Sequence, residues 1–225
     1  MTQPEPSTSK GPETVRIWLL GGFSVSVGSR SIRQDEWRSK KAATLVKLLA
    51  LAPGHRLHRE QAMDLLWPDL GKKAVSNNLR QVVHGARRLL DPTSGSPGRY
   101  LSLEDEQLVL CPEGQLWVDV DAFEEAASIA RRARDLAAYR AAIDLYTGDL
   151  LPEDRYEEWA EERRRQLHQL YLGLILEQAE LYEGREEHAP AIEDLRRAIN
   201  EEPTLEEAHV ALMRLQALGE ARSRP

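Results

Sequence analysis

Hydrogen-bond donors recur at helical spacing between residues 73 and 90. At about 100° per residue, the polar members of this stretch share one face of a helix and the apolar members share the opposite face. The polar face contains neither Asp nor Glu. Its members are Lys73, Asn77, Arg80, Gln81, His84, Arg87 and Arg88. Arg, Asn and Gln have the paired polar groups that fit guanine and adenine edges in the major groove, so this face predicts recognition of DNA by hydrogen bonds.

The lack of carboxylates on this face is itself informative. An exposed helix normally mixes Glu with Lys, because each oppositely charged i,i+4 pair contributes about 0.2–0.5 kcal/mol. A face without such pairs indicates an anionic partner from outside the chain. We predict base contacts from Asn77, Arg80, Gln81 and His84. Phosphate contacts are predicted from Lys73, Arg87 and Arg88, together with Arg38, Lys40, Lys41 and Arg99.

Charge is divided unevenly along the 225 residues, whose formal net charge is −7. Residues 1–118 contain 16 Lys/Arg and 12 Asp/Glu, whereas residues 119–225 contain 14 and 25, so the net charges are +4 and −11. Within the first part, residues 30–90 have 13 basic and 5 acidic side chains. DNA would attract the first part and repel the second. We therefore predict a domain boundary near residue 118.

The residue pattern of the first part predicts strands followed by three helices. Alternation over 15–20 and 23–28 predicts a small antiparallel meander. Ser39 is a suitable N-cap for a helix that ends at Pro53-Gly54, and a short helix over 59–67 precedes the 73–90 helix. This order is a helix-turn-helix. Arg38, Lys40 and Lys41 at the first helix start oppose its dipole, which indicates either a nearby phosphate or solvated charges tolerated at small cost.

A β-hairpin is predicted directly after the 73–90 helix. Alternating residues at 100–103, 107–111 and 116–118 predict two or three short strands, which together form a wing. Arg99 at the start of the wing either reaches the sugar-phosphate backbone or stays solvated. Cys111, the single cysteine, is interpreted as a small strand residue rather than a reactive thiol.

Residues 119–219 are patterned for helices alone. We predict helices near 121–133, 135–147, 155–183, 188–201 and 205–217, with a break near Gly173 in the third and a capping box formed by Asp121 and Glu124. Small and large residues alternate as in a tetratricopeptide helix pair, with a shortened C-terminal end. The residues with this spacing are Tyr182, Ala191, Leu195, Ala198 and Pro203. Residues 1–13 and 220–225 are predicted to be tails.

No catalytic residues, metal site or cofactor site is predicted. The six histidines never form HxxxH or HExxH, and His55 and His58 suit a loop or helix-cap role better than a metal pair. No glycine-rich nucleotide loop or nucleophile elbow occurs. With neither an apolar span nor a signal peptide, the chain is expected to avoid membranes and to be cytoplasmic.

The order of several motifs also resembles the SARP family of bacterial antibiotic-regulatory activators. Residues 15–25, 41–49, 61–69 (with Leu-Leu-Trp-Pro-Asp) and 78–90 are similar to that family's OmpR-type winged helix. Residues 119–123, 146–152 (Tyr-Thr-Gly-Asp-Leu-Leu-Pro), Trp159 and 195–199 are similar to its bacterial transcriptional activator domain. The resemblance covers roughly 15–218 and implies an α+β chain, with an OmpR-type winged helix-turn-helix followed by an all-α tetratricopeptide-like domain.

The resemblance further implies a function. A SARP-type activator binds direct repeats near a promoter, with its third helix in the major groove and its wing in the minor groove, and contacts RNA polymerase. Binding to direct repeats allows self-association on DNA. The sequence also leaves a second hypothesis open, a helical-repeat adaptor whose winged helix does not bind DNA. No receiver domain or nucleotide-binding module is visible, so the sequence does not show the input signal.

Overall fold

The computed structural model describes residues 13–37, 39–70, 72–92 and 98–223, without the side chains of 34, 72–74 and 219–223. The chain forms two compact units, which are described separately below. One comprises Met1–Leu19 and Phe23–Asp119, and the other comprises Leu20–Gly22 and Val120–Pro225. The predicted α+β fold class is confirmed, because all strands of the described chain precede an entirely helical second part. The tail predicted over 1–13 lies outside the described residues except for Glu13.

The first unit contains a four-stranded sheet built from β1 (Val15–Trp18), β2 (Ser24–Val27), β3 (Arg30–Ile32) and β7 (Leu116–Val118). Their order in the sheet is β3-β2-β1-β7. Ile17 pairs with Val25 in the antiparallel neighbour and with Val118 in the parallel neighbour. Its 116–118 strand was predicted as part of the wing, and that assignment is wrong, because this strand pairs with the first strand of the chain instead.

Helix α1 (Lys40–Leu51) begins where the sequence predicts. The Ser39 side chain caps it by accepting a hydrogen bond from the Ala42 backbone N–H at 3.4 Å. Most of its residues from Leu45 onward are buried, including Lys47. The Lys47 ammonium lies 4.6 Å from the centre of the Phe23 ring, a cation–π contact that compensates for part of its desolvation.

Two further helices complete the helix-turn-helix, α2 (Arg59–Leu66) and α3 (Lys72–Leu90). His58 caps α2, because its Nδ1 accepts from the Glu60 N–H at 3.3 Å while the Gln61 side chain accepts from the His58 N–H. The helix-cap role predicted for this histidine is confirmed. A short strand that the sequence did not predict, β4 (Arg56–His58), ends at the same residue.

The predicted hairpin is present as β5 (Leu101–Glu104) and β6 (Gln107–Leu110). β6 also pairs with β4, so the wing is a three-stranded sheet of order β4-β6-β5. Asp105 and Glu106 connect the strands with φ angles of 45° and 66°, the sign that a two-residue type I′ turn requires. Cys111 lies one residue beyond β6, and burial raises the pKa of its thiol to about 12. The thiol is therefore protonated and unreactive at neutral pH.

The second unit contains five α-helices in the described part of the chain. The predicted capping box at Asp121 is wrong, because the first of these helices already begins at Asp119. The buried Asp119 carboxylate instead accepts two hydrogen bonds from the Leu19 N–H, at 2.8 and 3.0 Å. The break predicted near Gly173 is also wrong, since one helix runs through it. The helices are α4 (Asp119–Ala133), α5 (Leu136–Leu145), α6 (Glu158–Gly184), α7 (His188–Glu201) and α8 (Glu206–Ser223).

The core of the second unit combines small residues with stacked aromatic rings. Ala191, Leu195 and Ala198, which were predicted from tetratricopeptide spacing, are all buried on α7. The rings of Tyr146 and Tyr171 stack with centroids 4.3 Å apart. Small residues let paired helices approach closely, and the rings fill the wider space. None of the helices in the described part of the chain combines the length and apolar character needed to cross a membrane.

We predict that Asp194 makes the stability of this unit dependent on pH. Burial raises the pKa of Asp194 to about 6, with the Arg197 and Arg140 charges opposing the shift. The folded state therefore holds this proton more tightly than the unfolded state, so the contribution of Asp194 to stability is fully present below about pH 4 and is lost as pH rises through 6. The Asp194→Asn variant should lose this decline in urea unfolding measured across that range.

The exposed carboxylate of Asp144 on α5 provides the matched control for this prediction. Asp144→Asn should keep the fall in stability between pH 4 and 6. An unchanged slope in Asp194→Asn would contradict the assignment of the proton to Asp194.

Candidate nucleic-acid interface

The two faces of α3 are separated in the structure as the periodicity predicts. Asn77, Arg80, Gln81 and His84 are exposed. Of the predicted apolar stripe, Leu89 is only half-buried, and the other members are fully buried. These buried members are Val75, Leu79, Val82, Val83, Ala86 and Leu90. The four predicted base-contacting side chains are therefore presented together to solvent on one helix face.

Contacts at the C-terminal end of α3 fix how the helix is held. α1 is its main helical partner within the unit. From β3, the Arg30 guanidinium donates to the carbonyl oxygens of Leu89 and Leu90, the latter at 3.2 Å. These carbonyls have no partner within the helix, and a cation is favourable at this end of the helix dipole. Arg30 therefore stabilises the end of α3 from the sheet side.

Arg87, a predicted phosphate contact, joins α3 to the wing. Its Nε donates to the Leu101 carbonyl oxygen of β5 at 2.7 Å, and its side chain is half-buried. Burial lowers the pKa of the Arg87 guanidinium from its ordinary value, although an arginine remains protonated at neutral pH. The Nε–H is thus used inside the unit, and the residue positions the base of the wing.

Arg59 connects three elements and was not singled out from the sequence. At the start of α2, its guanidinium pairs with the Glu106 carboxylate at 2.9 Å and donates to Ser76 Oγ of α3 at 3.1 Å. Its backbone N–H also donates to the Glu106 carbonyl oxygen at 2.9 Å. The wing turn is therefore attached to α3 next to Asn77. These partners lie 47 and 17 positions away in sequence, so no local pattern identifies them.

The predicted phosphate-contacting residues are distributed around the ends of α1 and α3. Lys40 and Lys41 are exposed in the first turn of α1, and Arg88 is exposed on α3. A cleft of about 440 Å³ has Ser39 and Arg88 among its lining residues, so the start of α1 lies beside the C-terminal half of α3. Arg99 is half-buried before β5. Arg38 and the Lys73 side chain lie outside the described residues.

Acidic side chains occupy the tip of the wing. Glu104, Asp105 and Glu106 are consecutive and exposed. The ion pair with Arg59 compensates for the charge of Glu106, whereas Asp105 projects from the turn itself. Phosphates repel carboxylates, so this tip is poorly suited to lie against the DNA backbone. The sequence already contains this signal, but its position at the tip depends on the strand register.

Comparison with known proteins identifies the second unit. Residues 118–223 match the family described as "Bacterial transcriptional activator domain". The chain carries this bacterial transcriptional activator domain. The resemblance to SARP-type activators is thereby confirmed, and the family that residues 118–223 match is one of transcriptional regulators. In the described residues, no group of three or more His, Cys, Asp or Glu side chains is arranged to hold a metal ion.

The fold of the activator-domain chain is similar to that of Mycobacterium tuberculosis EmbR, whose structure was solved in complex with a low affinity phosphopeptide. The TM-score is 0.74 at 16% sequence identity, and the match covers 94% of this chain. It covers 56% of the EmbR chain, so the present chain spans little more than half of that protein's length. A comparison with curated protein sequences gives no match. At this identity, the similarity supports a winged helix followed by a helical domain as the shared fold.

We predict that Arg59→Ala loosens the wing without unfolding the unit. The variant loses a half-exposed ion pair and a hydrogen bond to Ser76, together worth about 1 kcal/mol of unfolding free energy. Amide hydrogen exchange at residues 104–107 should accelerate, because the turn loses its side-chain attachment to α2 and α3 and keeps only the backbone hydrogen bond from residue 59. Arg56→Ala, which removes an exposed arginine from β4, should leave that exchange unchanged. Equal protection of the turn in both variants would refute the role of Arg59.

Proposed function

We propose that this chain is a sequence-specific DNA-binding transcriptional activator. The observation that carries the proposal is the exposed, carboxylate-free face of α3 in a winged helix that is joined to a bacterial transcriptional activator domain. A third helix of this kind enters the major groove and reads base edges with its exposed polar side chains. The proposed ligand is double-stranded promoter DNA, in the direct repeats that the SARP resemblance implies.

Within this proposal, the residues of the interface divide by distance from the bases. Asn77, Arg80, Gln81 and His84 are exposed together and are assigned to base edges. The phosphate contacts are assigned to the cations around them, of which Arg87 has the additional role of holding the wing. These phosphate-contacting residues are Arg38, Lys40, Lys41, Lys73, Arg87, Arg88 and Arg99. Phosphate contacts fix the register of the protein on the duplex, and base contacts specify the sequence.

The wing is proposed to contact DNA near its base rather than through its tip. Arg99 precedes β5, whereas Asp105 and the adjoining carboxylates lie at the turn. An arginine is suited to the negative potential of the minor groove, and a carboxylate is not. The acidic turn therefore limits how deeply the wing enters the groove and weakens binding to any sequence.

The second unit is proposed to contact RNA polymerase. Residues 119–225 have a net charge of −11, so DNA phosphates repel this part of the chain and leave it accessible for protein contacts. Copies of the chain bound to adjacent direct repeats would self-associate on the DNA. Such a regulator requires no cofactor for DNA recognition and acts in the cytoplasm, where bacterial DNA lies.

An adaptor function is the second candidate, and the acidic wing tip favours it. In that case the winged helix would bind protein, and the chain would have no salt-linked affinity for any duplex. Selection of bound sequences from a random DNA pool, followed by titration of the selected duplex across salt concentrations, separates the two functions. Enrichment of one motif with steep salt dependence supports the activator, and no enrichment supports the adaptor.

We predict that Arg80→Ala and Lys40→Ala weaken DNA binding in different ways. Arg80→Ala removes a base contact, so affinity for the selected site should fall by about 1–3 kcal/mol and discrimination at one base position should relax.

Lys40→Ala removes a phosphate contact, so affinity should fall evenly for all sequences and the salt slope should decrease by about one. Fluorescence anisotropy with selected and substituted duplexes measures both effects. Unchanged binding of the selected site by Arg80→Ala would remove that residue from the interface.

We predict that Asp105→Asn strengthens DNA binding. Removing the negative charge from the wing turn should lower Kd by about two- to fivefold at low salt, with a smaller gain at high salt because exposed charges are screened. Asn also tolerates the positive φ of this position. Asp144→Asn in the second unit removes the same formal charge and should not change affinity. Equal affinities in the two variants would show that the wing tip lies far from the phosphates.

A further inference from the structure

Helix α8 has apolar side chains on two sides of its axis. Ala208 and Leu215 are buried in the second unit, at 0% and 1% exposure. Val210 and Met213, in contrast, expose 59% and 61% of their surface. Their i,i+3 spacing places them on a common face that turns away from the buried residues. Exposure of these two apolar side chains to water is unfavourable, and they make no contribution to the core of the unit.

A groove opens beside this second face, between α6 and α8. Its apolar floor is formed by Leu176 and Ala211, which are half-buried, above the almost completely buried Ala179, Leu195 and Leu215. Val210 stands on its α8 wall. The groove has a volume of about 420 Å³, enough space for a few apolar side chains.

The rim of the groove is acidic. Glu180 of α6 and Glu206 and Glu207 of α8 line it and are exposed, and none of them forms an ion pair in the described part of the chain. The rim also contains Arg214, but its guanidinium pairs with Glu183 at 2.6 Å across the groove. The positive charge of the arginine is therefore already matched, and three carboxylates remain around an apolar floor.

We propose that this groove binds an amphipathic helix of a partner protein whose apolar stripe is flanked by Lys and Arg. A helix fits because stacked helix pairs bury their outer faces against further helices, and α8 presents such a face. Basic flanks fit because they would match the three rim carboxylates while the apolar stripe covers Val210 and the floor. We name this surface, defined by Ala179, Glu180, Leu195, Glu206, Glu207 and Val210, the α6–α8 groove.

The proposal is independent of DNA binding, since every residue of the α6–α8 groove belongs to the second unit. It extends the proposed function by specifying the chemistry of a protein partner. Failure of the chain to bind DNA would leave the groove unaffected, and failure of the groove to bind a helix would leave the winged helix unaffected.

The test uses the full chain and two synthetic peptides of about five helical turns. The first peptide has Leu at i, i+3, i+4 and i+7 with Lys and Arg on both sides, and the second has the same Leu residues with Glu in place of the basic residues. Fluorescence anisotropy should show saturable binding of the basic peptide and at least tenfold weaker binding of the acidic peptide. Binding of the basic peptide should weaken as salt increases.

Two variants and one control localise the site. Val210→Ser should weaken binding of the basic peptide about tenfold, because it removes an apolar side chain from the wall without adding a charge. The double variant Glu206→Lys with Glu207→Lys should weaken the basic peptide and strengthen the acidic one. Ile129→Ser, an exposed apolar position on α4 outside the groove, should not change binding. Circular dichroism and thermal melting establish that each variant is folded.

Several outcomes would overturn the proposal. Equal binding of both peptides would show that charge complementarity is not involved, and unchanged binding by Val210→Ser would show that the groove is not the site. Absence of peptide binding by the folded chain would also overturn it. If sedimentation showed instead that the chain self-associates and that Val210→Ser abolishes this association, the occupant would be a second copy and the proposed partner would be wrong.

Discussion

Burial of one stripe of α3 is the constraint on which the first unit depends. Residues such as Leu79 and Leu90 each contribute about 1.5–3 kcal/mol when they leave water, so the rotation of the helix about its axis is determined by its apolar side. The polar face of α3, on the opposite side of the helix, must therefore point outward. α1 covers the stripe, and Arg30 stabilises the last carbonyls of the helix. The exposed hydrogen-bonding side chains are therefore positioned by the packing of the opposite side of the same helix.

Polar contacts between distant residues complete this arrangement. Arg87 holds β5 against α3, Arg59 attaches the wing turn to the start of α3, and Asp119 binds the backbone of Leu19 at the end of β1. Each is a charged group bonded to a partner from another element, so each specifies an orientation more than it adds net stability. Three of the arginines in this basic region, Arg30, Arg59 and Arg87, thus act inside the fold. The cationic character of the surface comes from the exposed ones.

In the second unit, the core and the charged surface are built from different residue types. Its core is built from small residues and stacked tyrosines, and its carboxylates lie mainly on the outside, including the rim of the α6–α8 groove. Under the proposed function, the basic winged helix would bind an anionic polymer and the acidic helical unit would bind cationic or apolar partners. The chain would then bring other proteins to DNA.

The sequence by itself determined the elements and faces that depend on local periodicity, including α1, α3, the wing hairpin and the exposed set from Asn77 to His84. Only the tertiary structure decided the pairing of β7 with β1, because these strands lie about a hundred residues apart and β7 looks like a third wing strand locally. The same holds for Arg59, whose partners are remote. Gly173 is a local signal that tertiary packing overrides. A glycine costs about 1 kcal/mol in a helix interior, and the packing of α6 outweighs this cost. Local patterns report what a residue prefers, and burial against distant residues selects among those preferences.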